Sequence, residues 1–492
     1  MHSMKEYQTK IQQLTKEVKE LKEKLLSCQE KYSASRKEIK YLRRRIKELT
    51  ASRNKWKGKN KDKGKKIKEL KKKEKRREEK AKWHQYPIWI VGLSVLLRIK
   101  ANCSYASVVK VLNILNIYFH LNLRRIPCAN TVQNWVSKMG LNQLNNATCE
   151  WKEKEVSIII DESIRLGQEK LLLVLICPFK KQSEEALSFS DVKVVYMKGA
   201  VSWKSTDISK EIKEHILNQG IKVKNILSDE GNNLIKTAKL LQLTHVPDIG
   251  HVIATCLRQT FGKDPDYQLF TKRIAACFLK GVNQDLSYLL PPKLGQKARF
   301  MNQERLVNWS KIILNSWEKL SEKEKNFFRQ IKDSQPIIQI LDDCIKIAKI
   351  VASIFKKKGL STETLLEVRR ELDKCKGAKG LVEVFLKKIN RYLSEYEAFI
   401  SNLPEGSCIH VSSDIIESMF GKYKDKANNY ALTGLTKLNL ELLLYSLKDK
   451  EIMLKIKSAL EGIFMTDLKE WVAMHSPENQ LVKKLKFFKK VV

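Results

Sequence analysis

Three things are scarce in this sequence: long apolar runs, paired cysteines and acidic charge. The longest apolar stretch, residues 88–97, is about ten residues, half of what a membrane span needs. Cysteines stand at 28, 103, 128, 149, 177, 256, 277, 344, 375 and 408, with no Cys-x-x-Cys among them. That spacing excludes the usual zinc finger and argues against a disulfide framework at this size. The first 24 residues are polar and charge-dense, so no signal peptide is read at the start. The compartment expected is a reducing one, cytoplasm or nucleoid in a bacterium and nucleus in a eukaryote. Asp and Glu number 55 against 94 Lys and Arg, a formal net charge of +39 over 492 residues. Such an excess calls for a polyanionic partner, and with membranes mostly set aside that partner is a nucleic acid. With 43% hydrophobic residues the chain can still bury a sizeable core in about three domains.

The charge is uneven. Residues 51–82 hold 17 basic and 5 acidic side chains. Ahead of them runs an apolar seam: Ile11, Leu14, Val18, Leu21, Leu25, Cys28, Tyr32, Ile39, Leu42, Ile46 and Leu49. Steps of three and four mark a left-handed coiled coil, and Ile or Val at a with Leu at d favours a parallel dimer. The register continues weakly through Arg53, Trp56, Asn60 and Lys63 to Ile67 and Leu70. Gly58 and Gly64 each cost a helix about 1 kcal/mol, so the coil is expected to fray near residue 50. The basic segment beyond it suits DNA phosphates or a nuclear address, or is a merely solvated helix.

Residues 88–97, 104–118 and 130–140 carry helical patterns, with Asn130 expected as a cap and Gly140 as a stop. Three short helices make a helix-turn-helix candidate. Its reading side would be Thr131, Gln133, Asn134 and Lys138, with Asn130 at the helix start and Arg124 and Arg125 in the preceding turn. Many trihelical domains bind no DNA, and that alternative stays open.

The periodicity changes at residue 155. Strands are predicted over 155–161, 170–179, 191–197, 221–229 and 243–246, with helices over 206–219 and 232–241. Three strands, a helix, a strand, a helix and a strand is the order of a ribonuclease-H-like core. The first strand then lies centrally, and Asp161 at its end comes beside Asp229 at the end of the fourth. Two ionised carboxylates there are costly without a cation between them.

The pieces IIIDES around Asp161, ILSDEGNNL around Asp229 and SDIIESMFGKYK around Glu417 resemble transposases with an Asp-Asp-Glu triad on a ribonuclease-H-like core. VPDIGHVIATCLRQ, with Asp248 and His251, is similar to the (Cys or Asp)-x-x-His signature of the hAT superfamily and its relatives. The resemblance covers about residues 88–440. It implies a metal site of Asp161, Asp229 and Glu417 holding two Mg²⁺ or Mn²⁺ ions, with His251 near the DNA. It also implies an all-helical insertion in the 188 residues separating Asp229 from Glu417. No zinc-binding finger of the kind many hAT members carry is present; the coiled coil stands in its place.

Each residue also has an ordinary reading. Asp161 could begin a turn, Asp229 could cap the next helix, and Asp414-x-x-Glu417 has capping-box spacing. Asp248 and His251 could be a turn and a satisfied core histidine. The organisation expected is a coiled coil (1–50), a basic linker (51–86) and a helix-turn-helix domain (87–150). Then come an α/β (α+β) ribonuclease-H-like core (151–261), an all-helical insertion (262–410), the final-Glu piece of the core (411–440) and a basic helical segment (441–492). The function the resemblance implies is that of a transposase, metal-dependent strand cleavage and transfer on double-stranded DNA (transposon ends and target) by a homodimer or higher homo-oligomer. The alternatives are a transposase-derived DNA-binding protein without cleavage and a structural coiled-coil protein.

Overall fold

The computed structural model describes residues 2–119, 121, 123–167, 169–181, 184–282, 285–293, 300, 303–375, 377–424, 434–478 and 480–491. They form two units, divided between Glu79 and Lys80.

The first unit is one helix, α1 (His2–Glu78), 77 residues and about 115 Å long at 1.5 Å per residue. It does not fray at residue 50. Gly58 and Gly64 lie inside it, and a Cβ added at either would meet nothing within 4 Å. Their cost is spread over a run of Lys and Glu, good helix formers. Ile11, Leu14, Leu21, Leu42 and Leu49 are all about half exposed or more, an apolar stripe along one side. Leu70, the last seam position, lies outside the residues whose side chains are described.

The second unit opens at Lys80, inside the stretch expected to be linker. Ala81 is buried, Lys82 N–H donates to Glu461 (2.9 Å) and His84 Nε2 lies 3.2 Å from the Leu460 carbonyl. Three helices follow, α2 (Ile88–Ile99), α3 (Tyr105–Phe119) and α4 (Ala129–Asn145).

Next comes a five-stranded sheet. Its strands are β1 (Glu155–Leu166), β2 (Glu169–Pro178), β3 (Lys193–Ala200), β4 (Lys222–Ser228) and β5 (Thr244–Pro247). The order is β3-β2-β1-β4-β5, antiparallel across β3-β2-β1 and parallel across β1-β4-β5. Helix α5 (Ser205–His215) makes the crossover from β3 to β4, and α6 (Asn232–Leu240) that from β4 to β5. β1 does not end at Asp161 but runs on to Leu166, with a register break between Asp161 and Ile164. The predicted turn there includes Gln168, which lies outside the described residues; Gly167 takes the positive φ (58°) that the hairpin needs.

Alternation along β1 sets the two faces. Val156, Ile158 and Ile160 join Ile208, Ile212 and Leu234 of α5 and α6 in one core. Ile159 faces the other way, into a larger core shared with α7 (Ile249–Phe261).

From 262 to 410 the described elements are helical: α8 (Pro265–Gly281), α9 (Gln303–Asn315), α10 (Glu322–Lys332), α11 (Gln335–Lys358), α12 (Thr362–Asp373) and α13 (Leu381–Ile400). Helices α11 and α13 pack on α7. The chain returns at Ile409, which exchanges backbone hydrogen bonds with Leu360 (2.8 and 3.0 Å). Then come α14 (Asp414–Lys424), a 3₁₀ helix (Lys437–Leu444), α15 (Asp449–Gly462), α16 (Met465–His475) and α17 (Gln480–Val491). The expected core piece 411–440 includes residues 425–433, which lie outside the described residues. Among those described, no helix is long and apolar enough to cross a membrane.

The C-terminal helices change the reading of α4. It continues past Gly140 to Asn145, and its N-cap is Cys128, with Asn130 inside the helix. Gly140 does not stop the helix; it admits the Leu440 carbonyl, which would lie 2.2 Å from an added Cβ. The 3₁₀ helix and α15 cover the far side of α4. The closure includes a buried ion pair: Arg98 Nε donates to Glu441 at 2.7 Å, and Tyr105 and Tyr445 hydroxyls donate to the same carboxylate (3.1 and 2.5 Å). Removing one partner of such a pair strands the other charge. Arg98→Met should therefore cost about 3–5 kcal/mol in urea unfolding. Arg98→Met with Glu441→Leu should recover most of that loss, since both polar groups are then gone.

Candidate catalytic site

The site lies where β1 and β4 stop pairing. Their last paired residues are Ile159 and Leu227, so Asp161 and Asp229 each follow by two. Asp161 keeps the parity of Ile159 and leans to the face of α7. Glu162, one residue on, takes the opposite face, where Asn233 of α6 donates to its carboxylate (3.2 Å) and to the Trp203 carbonyl (3.0 Å). Asp229 turns its own loop: Oδ1 accepts from Gly231 N–H at 3.0 Å. The N-cap of α6 is Gly231, so Asp229 is not the cap. Ser228 and His245 meet behind it, Oγ to Nε2 2.9 Å.

Asp248 is 1% exposed and caps α7. Its Oδ1 accepts from the His251 backbone N–H (2.9 Å) and lies 3.1 Å from His251 Nδ1, while Oδ2 accepts from Ser413 N–H at 2.5 Å. The Ile249 N–H bonds the Val411 carbonyl at 2.9 Å. Helix α14 thus starts against the N-terminus of α7 and packs on β1. Asp414, the expected first member of a capping box, is paired with Lys356.

Electrostatics shows which groups share the space. His251 is raised to about 9, first by its bond to Asp248, with Asp229 and Glu417 adding to the effect. It is an imidazolium at neutral pH. Glu417 keeps solvent exposure, yet the protein packed around its carboxyl raises its pKa; His251 opposes the rise, and Asp414, Asp248 and Asp161 add to it. Glu162 is raised by burial, with Asp229 and Asp161 contributing. His251 thus lies in the field of Asp229 and Glu417, Glu417 in that of Asp161, and Glu162, on the opposite face, in that of Asp161 and Asp229.

Carboxylate oxygens suit Mg²⁺ or Mn²⁺. Among the described residues, however, no group of three or more His, Cys, Asp or Glu side chains stands close enough together to hold a metal ion. The donor chemistry fits such ions; the spacing, as it stands, does not.

Two tyrosines one turn apart on α13 reach this site from the helical segment. Tyr392 donates to Glu230 Oε1 (2.7 Å), beside Asp229, and Tyr396 donates to the Pro247 carbonyl (2.8 Å), beside Asp248. Neither is marked by any motif; the i, i+4 spacing of two hydroxyl-bearing rings is the one signal the sequence offers.

The expected reading helix is less available. Lys138 is buried, its Nζ 3.4 Å from the Leu460 carbonyl, because α15 covers the side it was expected to show to solvent. Asn134 accepts from Lys437 (2.7 Å), and Thr131 pairs with Cys128 Sγ (3.2 Å). Gln133 is half-buried, whereas Asn130, Arg124 and Arg125 remain exposed.

No family model matches the chain, and no curated protein matches it. Among solved structures it is similar to the Drosophila P element transposase strand transfer complex, at 12% identity and a TM-score of 0.40, over 75% of this chain and 94% of that one. This is a distant likeness of fold that carries no residue roles across.

The raised His251 gives a signed expectation. A histidine whose folded pKa lies above its ordinary 6.5 stabilises fully below about 6.5 and loses that stabilisation as pH rises through 9. In chelator-containing buffer, the melting temperature of the wild type should fall between pH 7 and pH 10 by more than that of His251→Gln.

Proposed function

We propose that this chain is a DNA transposase, cleaving DNA strands and joining them by phosphoryl transfer on a ribonuclease-H-like core. What carries the reading is the placing of Asp161 and Asp229 two residues beyond the last β1–β4 pair, with Glu417 of the apposed α14 in the field of Asp161 and of His251. The order β3-β2-β1-β4-β5, with a helical segment before the last acid, supports it. The net charge of +39 supports a DNA partner.

Asp161, Asp229 and Glu417 are the proposed holders of two divalent ions, Mg²⁺ or Mn²⁺. Bound there, such ions would stabilise charge on the attacking and leaving oxygens. The protein's own part is orientation. His251, a fixed cation, can hold a phosphate oxygen, and the Asp229 loop, tied by Gly231 N–H, limits where that carboxylate points. Exposed Arg124, Arg125 and Asn130 are the proposed DNA contacts outside the site.

One observation favours a second reading, a transposase-derived DNA-binding protein without cleavage: the carboxylates are not gathered into a ligand set. Nicking of plasmid carrying the DNA that flanks the gene, with and without Mg²⁺, separates the two. Under the main reading Asp161→Ala, Asp229→Ala and Glu417→Gln each lower nicking by a factor on the order of 10²–10³ or more, with DNA affinity unchanged. Binding by wild type with no metal-dependent nicking would favour the second reading.

The partner proposed for the α1 stripe is a second copy in parallel register. Cys28 occupies a d position, so only that register brings two Cys28 side chains together. Mild oxidation of the full chain should cross-link dimers through Cys28, and Leu14→Asp with Leu21→Asp and Leu42→Asp should sediment as monomer. A wild-type monomer at micromolar concentration would refute the pairing.

A further inference from the structure

We propose that Asp248 is a positioning residue: its second oxygen clasps α14 to the core and so sets where Glu417 stands. The significance of Glu417 rests on the function proposed above; the clasp itself does not.

The problem Asp248 addresses is one of distance along the chain. Asp248 and Ser413 are 165 residues apart, and the whole helical segment lies between them. Nothing in the local sequence around Glu417 fixes its helix beside β1. A fold must supply that link by contacts, and few polar ones reach the start of α14. The Lys356–Asp414 pair is partly exposed, so solvent screens it. A second contact is dry: Asp248, 1% exposed, accepts from Ser413 N–H at 2.5 Å, one turn before Glu417.

The choice of residue argues the same way. Capping α7 needs one acceptor, which Ser, Thr or Asn would supply without burying a charge. A carboxylate has two oxygens and more lone pairs. At Asp248 one oxygen serves His251 twice, and the other crosses to Ser413. The peptide links beside it run in the same direction: Asp248 N–H to the Ser228 carbonyl and Ile249 N–H to the Val411 carbonyl, both 2.9 Å. The side chain thus ties the start of α7 to the start of α14, and the backbone of the same residue ties both to the end of β4. Asparagine has the same shape but one acceptor oxygen, so it can serve the cap or the clasp and not both.

The test uses the full chain and amide hydrogen exchange. Asp248→Asn should raise exchange over residues 411–424 about tenfold while α11 and α13 keep their protection. His251→Gln leaves the Ser413 bond intact and should leave 411–424 protected. Ser413→Pro deletes the donor from the other side and should reproduce the local loosening, which carries the test if Asp248→Asn does not fold. Unchanged exchange at 411–424 in Asp248→Asn, or equal loosening in His251→Gln, overturns the clasp. For positioning, the Mg²⁺ concentration giving half-maximal nicking should rise about tenfold in Asp248→Asn at unchanged DNA affinity; an unchanged requirement overturns that role. Absence of nicking in the wild type would count against the proposed function alone, because the exchange result stands without it.

Discussion

The parallel pairing of residues 155–159 with 222–227 is the constraint on which the second unit depends. Parallel neighbours need a crossover, and α5 supplies it on one face, leaving the other free for α7 and α14. Parallel strands also finish at the same edge. Asp161 and Asp229, each two residues beyond the last pair, are thereby placed at the same end of the sheet. The α7 cap and the α13 tyrosines are bonded to residues around that end.

Like charges at one end of the sheet repel. His251, held charged by its bond to Asp248, is a cation set among them. Asp229 and Glu417 both add to the rise in its pKa. The basic excess of the molecule lies elsewhere, much of it in α1, so polyanion attraction and the acidic site are kept on separate elements.

The succession of strands and the helices between them were legible in the sequence, because alternation and turn residues are local signals; the end of β1 was not, since the strand runs past Asp161 to Leu166. The length of α1 was not, since a glycine penalty of about 1 kcal/mol is small against many good helix formers in series. The burial of Lys138 and the true end of α4 were hidden for another reason: the residues covering them, 437–462, come roughly 300 positions later. The Asp248–Ser413 bond is long-range in the same sense. Local pattern marks Asp248 as a cap and is silent about its second oxygen.

That distance in sequence has a consequence for how the protein is made. Helix α4 is buried on several sides, and Trp135, Val136 and Met139 cannot be fully covered until the 3₁₀ helix and α15 have been synthesised. At about 5–20 residues per second the ribosome needs roughly 15–60 s to reach them. During that interval the sheet can close on α5 and α6, but α4 must wait with its surface exposed, and Arg98 waits with it for Glu441. A chain released early, before residue 437, has a sheet and no way to finish the domain in front of it.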